Sequence, residues 1–334
     1  MIGVGALGQH HARIYRDMDQ AGTVQFVGLF DNNAENAQRV AAANRTKVIE
    51  SIEEVISVAD AVSIVTPTIT HFEIADQFLV RGKHVLVEKP MTDSSEQATG
   101  LVQRAHENGL VLQVGHVERF NPVYSYLEKA AAHPRFIETH RLSPYPARST
   151  DIGVVLDLMI HDLDIVLAFV KSPVKSVDAV GIPVLSKSED IANARLRFEN
   201  GCVANLTVSR VSPERMRKIR VFSGGDQPSY ISLDYRDQEG FIYRLAGSDA
   251  KESSLLKKLF MAKDSAIVSE FGGKKIVREP VPIEKDEPLK LELQHFIECV
   301  RDKQTPKVSG AHAKQALDLA FEITEQIRAA DAKP

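Results

Sequence analysis

Three glycines at the start of the chain, Gly3, Gly5 and Gly8, run directly into a helix-like stretch, LGQHHARIYRDM. A G-x-G-x-x-G at such a junction has a physical reading. The first glycine permits a tight turn, the second lets backbone approach a pyrophosphate, and the third lets the helix pack against a strand. Backbone N–H groups at the helix start then face the negative charge. The same spacing also occurs in ordinary glycine-rich turns, so the surrounding pattern has to decide.

That pattern is a repeated alternation of strand and helix. VQFVGLF (24–30), AVSIVTP (61–67), HVLVEKP (84–90) and LVLQVGH (110–116) are continuous in apolar character, as parallel strands buried on both faces are. Helix-length amphipathic segments lie between them. One, over 93–106, opens with Asp93 three residues before Glu96, a capping-box spacing, and is followed by a stop at Gly109. The βαβ rhythm predicts an α/β fold whose residues 1–117 form a doubly wound, Rossmann-type parallel sheet. Asp31 ends the second strand run, where a carboxylate accepts hydrogen bonds from both adenosine ribose hydroxyls and repels a 2′-phosphate, favouring NAD over NADP. Its alternative is a loop carboxylate or a cap for a helix beginning near Ala34. Only Met1 and Ile2 precede Gly3, against the roughly five residues of an ordinary strand, so the first strand is expected to be truncated. Either the true start lies upstream or the beginning has been lost; a chain truly starting here should bind its cofactor more weakly.

The chain of 334 residues has room for two domains. Residues 118–334 are expected to form a second α/β domain, its closing helices packing back on the first. An apolar helix over 154–170 precedes strand-like runs, VKSVDAVGI, ANARLRFE, CVANLTVS, RKIRVFSG, SYISLDY and FIYRLA. Asn200-Gly201 and Gly224-Gly225 mark hairpins between them, so the sheet is expected to be open and mainly antiparallel. Residues 247–287 have no clear period and are assigned to loops with a short helix over about 255–260; closing helices follow over 288–302 and 310–330. The net charge of −4 gives no bulk attraction to nucleic acid or to an anionic membrane. Two cysteines, Cys202 and Cys299, are too few for a disulfide framework, and neither a signal sequence nor a spanning apolar run is evident. A cytoplasmic protein with reduced thiols is the expectation.

Candidate chemistry concentrates at three places. Lys89, in Glu88-Lys89-Pro90, ends the fourth strand run on the carboxyl edge where open α/β sheets bind ligands, although a surface lysine would look the same. On the 154–170 helix, a wheel leaves one polar stripe, Asp157, His161 and Asp164, on an otherwise apolar surface. Asp157 can orient His161 as an acid-base group; a purely structural Asp/His pair is the alternative, and a metal site through His161, Asp162 and Asp164 is disfavoured by spacing. Arg119 and Asn121 in GHVERFNP could bind a polyhydroxyl or anionic substrate, or Arg119 could brace the domain joint. Arg148, in the loop YPARST, is a candidate phosphate contact or a solvated loop arginine. His10 and His11 read as surface or cofactor-neighbouring residues.

Taken as an ordered set, the glycine fingerprint, Thr66-Pro67 with His71, Glu88-Lys89-Pro90, GHVERFNP, DLMIHDLD and EPLKLELQHFIECV resemble the Gfo/Idh/MocA family of NAD(P)-dependent oxidoreductases. The resemblance implies a two-domain enzyme that forms homodimers or homotetramers through its open sheet. It implies Lys89, Asp157 and His161 as catalytic residues; no metal is expected, on the spacing given above. It also implies cofactor contacts from Gly3, Gly5, Ala6, Leu7, Gly8, Asp31, Asn32, Thr66, Pro67, His71, Glu88 and Lys89. Substrate contacts are expected from Arg119, Asn121, Arg148 and His161. Met159 stands where the family commonly has glycine, so the surroundings of His161 are expected to differ in shape. GHVERFNP with MIHDLD is most similar to the nucleotide-sugar branch, UDP-N-acetylglucosamine 3-dehydrogenases in particular. Dehydrogenases of free sugars or inositols, NAD-dependent glycosidases and non-catalytic dinucleotide-binding regulators remain alternatives.

Overall fold

The computed structural model describes residues 1–131, 133–145, 152–225, 228–246, 266–271 and 274–331. Arg148 and the short helix expected over 255–260 lie outside the described residues. The chain divides into two compact units, the first comprising Met1–Phe120 with Glu287–Asp318, the second Asn121–Asp286 with Leu319–Pro334.

The first unit has an α/β core. Helix α1 (Gly8–Gln20) buries Gly8, His11, Ala12, Ile14, Tyr15 and Met18 along one stripe. Helices α2 (Ala34–Asn44) and α3 (Ile52–Val58) follow, capped by the side chains of Asn33 and Ser51. Strands β1 (Ala61–Ile64), β2 (His84–Glu88) and β3 (Leu112–Gly115) pair in parallel in that order. Helices α4 (His71–Val80) and α5 (Ser95–Glu107) provide the crossovers. The capping residue of α5 is Ser94, which accepts from Gln97 N–H, one position later than the sequence pattern at Asp93 suggested.

Two expected strands are present only in reduced form. Ile2 is a single bridging residue, paired in parallel with both Ile64 and Phe30, and the 24–30 run pairs only at Leu29 and Phe30. β-Branched propensity is not sufficient for a strand; a ladder needs a partner backbone at each position. The Met1 amine donates to Gly28 O at 3.1 Å, and burial lowers its pKa to about 5.

In the second unit, helix α6 (Pro122–Ala130) leads into β4 (Pro134–Leu142), a strand the sequence reading did not identify. A π-helical turn (Val155–Met159) then continues into helix α7 (Ile160–Val170). Strands β5 (Val174–Ile182), β6 (Ile191–Phe198), β7 (Val203–Ser209), β8 (Met216–Ser223), β9 (Ser229–Asp234) and β10 (Glu239–Ala246) match the expected runs closely. Strands β11 (Ala266–Phe271) and β12 (Lys274–Pro280) replace loops expected there. Their mixed composition gave no period, but antiparallel pairing of β12 onto β10 supplies the ladder that local sequence could not reveal.

Among the described residues these strands form one sheet in the order β11-β12-β10-β9-β8-β4-β7-β6-β5, antiparallel throughout except for the β4–β7 pair. The expected hairpin at Asn200-Gly201 joins β6 to β7, and Gly224-Gly225 follows β8. Residues of one face, including Ile137, Ala194, Leu206, Ile219 and Ile231, are buried. Helix α8 (Pro288–Asp302) belongs to the first unit, while the unit boundary falls within helix α9 (Gly310–Asp331). No helix among the described residues is long and apolar enough to cross a membrane.

Candidate functional site

In the first unit the glycine loop has the stereochemistry its spacing predicts. Gly3 has φ +83°, and a side chain there would also put a Cβ 2.4 Å from Val65 O. A Cβ on Gly8 would stand 2.1 Å from Gly3 O, so this glycine is required by close packing of helix against turn. Gly5 differs from both: a Cβ there would meet nothing within 4 Å. Gly5, Ala6 and Leu7 are exposed, and α1 has neither a side-chain cap nor an acidic residue in its first turn. Open space over Gly5 beside an uncapped, acid-free helix start suits the pyrophosphate of a dinucleotide.

Asp31 is half-buried, and its two oxygens accept from Val4 N–H at 2.7 Å and Asn33 N–H at 2.8 Å. Each carboxylate oxygen retains acceptor capacity after one such bond. Asp31 therefore braces the glycine loop and still presents a carboxylate where ribose hydroxyls are expected. The alternative of Asp31 as a helix cap does not hold, because Asn33 caps α2. Asn32 beside it is exposed.

The opposite side of the loop is built around His71. Its ring faces Thr66 O at 2.8 Å and Pro90 O at 2.9 Å, tying the Thr66-Pro67 turn to the segment that follows Lys89. Burial pulls the His71 pKa below its usual value, outweighing the two carbonyls and the Glu88 charge that act the other way. The Lys89-Pro90 peptide is cis, and Lys89 itself is half-buried at the end of β2. Beneath it, buried Glu88 places Oε1 3.2 Å from His11 Nε2, and His11 Nδ1 lies 3.0 Å from Ser63 Oγ. His11 is fully buried rather than on the surface. The signal was available: Gly8, His11, Tyr15 and Met18 fall on the apolar stripe of α1.

In the second unit the expected polar stripe falls on the π turn and helix α7. Asp157 and His161 are half-buried, and Asp164 is buried. Asp157 lies in the π turn, where Ile160 N–H reaches back to Val155 O. That turn carries one more residue than an α turn. Asp162, absent from the expected stripe, is buried and takes a bidentate contact from buried Arg141, Nε to Oδ2 at 3.1 Å and Nη2 to Oδ1 at 2.9 Å. This pair fastens α7 to β4.

Arg119 and Asn121 each hydrogen-bond to backbone within their own unit. Arg119 is buried with Nη2 donating to Lys307 O at 3.4 Å. Asn121 donates from Nδ2 to Tyr235 O at 2.9 Å and caps α6 by accepting from Val123 N–H. Among the described residues no group of three or more His, Cys, Asp or Glu side chains could hold a metal ion.

Comparison with known proteins extends this picture. Residues 1–116 match the GFO/IDH/MocA oxidoreductase family with an NAD-binding Rossmann fold, and residues 129–225 match the GFO/IDH/MocA C-terminal domain. The chain is 35% identical to UDP-N-acetylglucosamine 3-dehydrogenase of Acidithiobacillus ferrooxidans over 98% of its own length and 96% of the relative's. A solved structure of that protein superposes with a TM-score of 0.86, covering 98% of this chain and 96% of the other. The NAD(+)-dependent scyllo-inositol 2-dehydrogenase of Bacillus subtilis is 27% identical over 98% of this chain and 93% of its own. The WlbA dehydrogenase of Bordetella pertussis, solved with NADH and UDP-GlcNAcA, shares the fold at a TM-score of 0.75 and 20% identity, covering 98% and 95% of the two chains.

Proposed function

The chain belongs to the Gfo/Idh/MocA family of oxidoreductases, and from that premise we propose that it is an NAD-dependent dehydrogenase of a nucleotide sugar, oxidising the C3 hydroxyl of UDP-N-acetylglucosamine. The observation that carries this reading is the likeness to a UDP-N-acetylglucosamine 3-dehydrogenase, which runs through both units rather than through the Rossmann unit alone.

When bound, the dinucleotide supplies the acceptor for the hydride leaving the sugar carbon. The chain's residues do the rest. Gly5, Ala6 and Leu7 leave room for the pyrophosphate, and Asp31 accepts from the ribose hydroxyls while repelling a 2′-phosphate, which selects NAD over NADP. His161 takes the proton of the substrate hydroxyl, and Asp157 orients the imidazole and raises its basicity. Lys89 donates to the same oxygen as negative charge develops on it. The products are the 3-keto sugar, NADH and a proton.

The test is NADH formation by the full chain, followed by absorbance, with UDP-N-acetylglucosamine, free N-acetylglucosamine, scyllo-inositol and myo-inositol offered in parallel. Turnover restricted to the nucleotide sugar is expected. Turnover of an inositol without the nucleotide sugar would replace this reading with that of a polyol dehydrogenase, the activity named for the Bacillus subtilis relative. Lys89→Ala should lower kcat roughly 10²–10³-fold, the usual consequence of removing one donor to a developing oxyanion. It should leave NAD binding largely intact.

A further inference from the structure

A helix that begins inside a protein must find partners for its first N–H groups. The residue at the helix start, Val154, has no polar side chain with which to cap it, and Ile152 and Gly153 before it have none either. The partner comes from far along the chain. Glu189, buried in the turn between β5 and β6, accepts Val154 N–H on its backbone oxygen at 3.0 Å and Val155 N–H on Oε1 at 3.3 Å. An anionic carboxylate at a helix N-terminus is favoured by the helix dipole as well as by the hydrogen bond. Gly153 allows this approach, since a Cβ at that position would lie 1.8 Å from Glu189 Oε1.

Glu189 is itself held from below. Its neighbour Asp190 is fully buried, and one carboxylate oxygen accepts the N–H groups of Val184, Leu185 and Ser186 at 2.6 to 2.9 Å. The other oxygen takes Arg210 Nε at 2.7 Å. Arg210, also fully buried, sends Nη1 to Ile152 O at 2.7 Å and Nη2 to Ser186 Oγ at 2.7 Å. One rigid guanidinium thus ties the β5–β6 turn to the chain segment entering the helix. Burial would raise the Asp190 carboxyl, but the three N–H groups and Arg210 outweigh it and hold the group well below the ordinary carboxylate range.

We propose that Glu189, seated by the buried Arg210–Asp190 pair, is a positioning residue that fixes where the π turn begins and so sets the orientation of Asp157 and His161. The inference deepens the dehydrogenase reading and rests on it for its kinetic consequence. Successive residues on a helix point about 100° apart, so a slip of one position at the entry would change the direction in which Asp157 points relative to His161. Neither Glu189 nor Arg210 needs to touch substrate for this effect.

The experiment compares Glu189→Ala, Glu189→Gln and Gly153→Ala in the full chain. Steady-state kinetics with NAD and UDP-N-acetylglucosamine would be measured beside amide hydrogen exchange over residues 153–161. Glu189→Ala should lower kcat by about tenfold or more, with KM for both substrates within about twofold, because geometry at the reacting atoms is lost while binding is kept. Exchange over 154–158 should accelerate. Glu189→Gln keeps an acceptor oxygen and should recover most of the loss. Gly153→Ala, which retains Glu189 but displaces its carboxylate, should reproduce the kcat defect without touching the Arg210–Asp190 pair. Wild-type kcat in Glu189→Ala, or a loss in Glu189→Gln as large as in Glu189→Ala, overturns the proposal. Should the unaltered chain turn over no nucleotide sugar, the functional reading fails separately. Exchange then decides alone: unchanged protection in Glu189→Ala overturns the positioning role.

Discussion

His11 Nε2 stands 3.2 Å from Glu88 Oε1, joining the first helix of the Rossmann unit to the strand end that bears Lys89. Both side chains are buried, and the opposite ring nitrogen of His11 faces Ser63 Oγ. A helix that starts at the glycine loop and a strand that ends at the proposed catalytic lysine are thereby held in one polar contact within an apolar core.

Replacing His11 with Leu would leave a buried carboxylate without its imidazole partner. The expected destabilisation is about 1–3 kcal/mol, the usual cost of an unsatisfied buried polar group. Urea unfolding of His11→Leu, Glu88→Gln and the double variant measures it. The double variant should cost less than the sum of the singles, and strict additivity would show that the two groups are not coupled.

The three fingerprint glycines should respond differently to alanine. Gly3→Ala and Gly8→Ala meet backbone oxygens at 2.4 and 2.1 Å and should destabilise the fold. Gly5→Ala meets no protein atom within 4 Å and should leave thermal stability near wild type. Its methyl group would occupy the space proposed for the pyrophosphate, weakening NAD binding by roughly tenfold or more, about 1.4 kcal/mol per decade. Melting curves and NADH fluorescence titrations separate the two effects.

Asp31→Ser removes the charge proposed to repel a 2′-phosphate. The ratio of kcat/KM for NAD over NADP should fall by roughly tenfold or more. Because Asp31 also accepts Val4 N–H at 2.7 Å, a smaller loss of stability should accompany the change. An unaltered cofactor ratio would assign Asp31 to bracing the loop alone.

His71 supplies a pH dependence whose sign follows from its burial. Its folded pKa lies below the usual 6.5, so the unfolded chain binds the proton more readily. The stabilising contribution is complete above about pH 6.5 and is lost as pH falls from there toward the folded value. Urea midpoints across this window should decline for the wild type, by at most about 1.4 kcal/mol per pH unit from this one group. His71→Asn should flatten that part of the profile.

Much of this molecule is written in local sequence. Parallel strands β1 to β3, the hairpin at Asn200-Gly201 and helices α8 and α9 coincide closely with the stretches their apolar period marked. The glycine spacing implied an open position at Gly5 and close packing at Gly8, which the structure directs at the turn carbonyl of Gly3 where a strand was expected. Such features depend on backbone preference and side-chain period over a few residues, which any window of sequence contains.

What remained hidden depends on residues distant along the chain. Strands β11 and β12 exist by pairing with each other and with β10, and β4 takes its place between β7 and β8. The π turn at Asp157 donates its first hydrogen bonds to Glu189, 34 residues away from Val155, and Asp162 is held by Arg141 from another element. Sequence determined most of the helices and strands and the tight glycine turn, because those choices are local. The tertiary structure alone decided how buried charges are paired and in what phase the helix of Asp157 and His161 begins, because a buried polar group is defined by the partner that meets it.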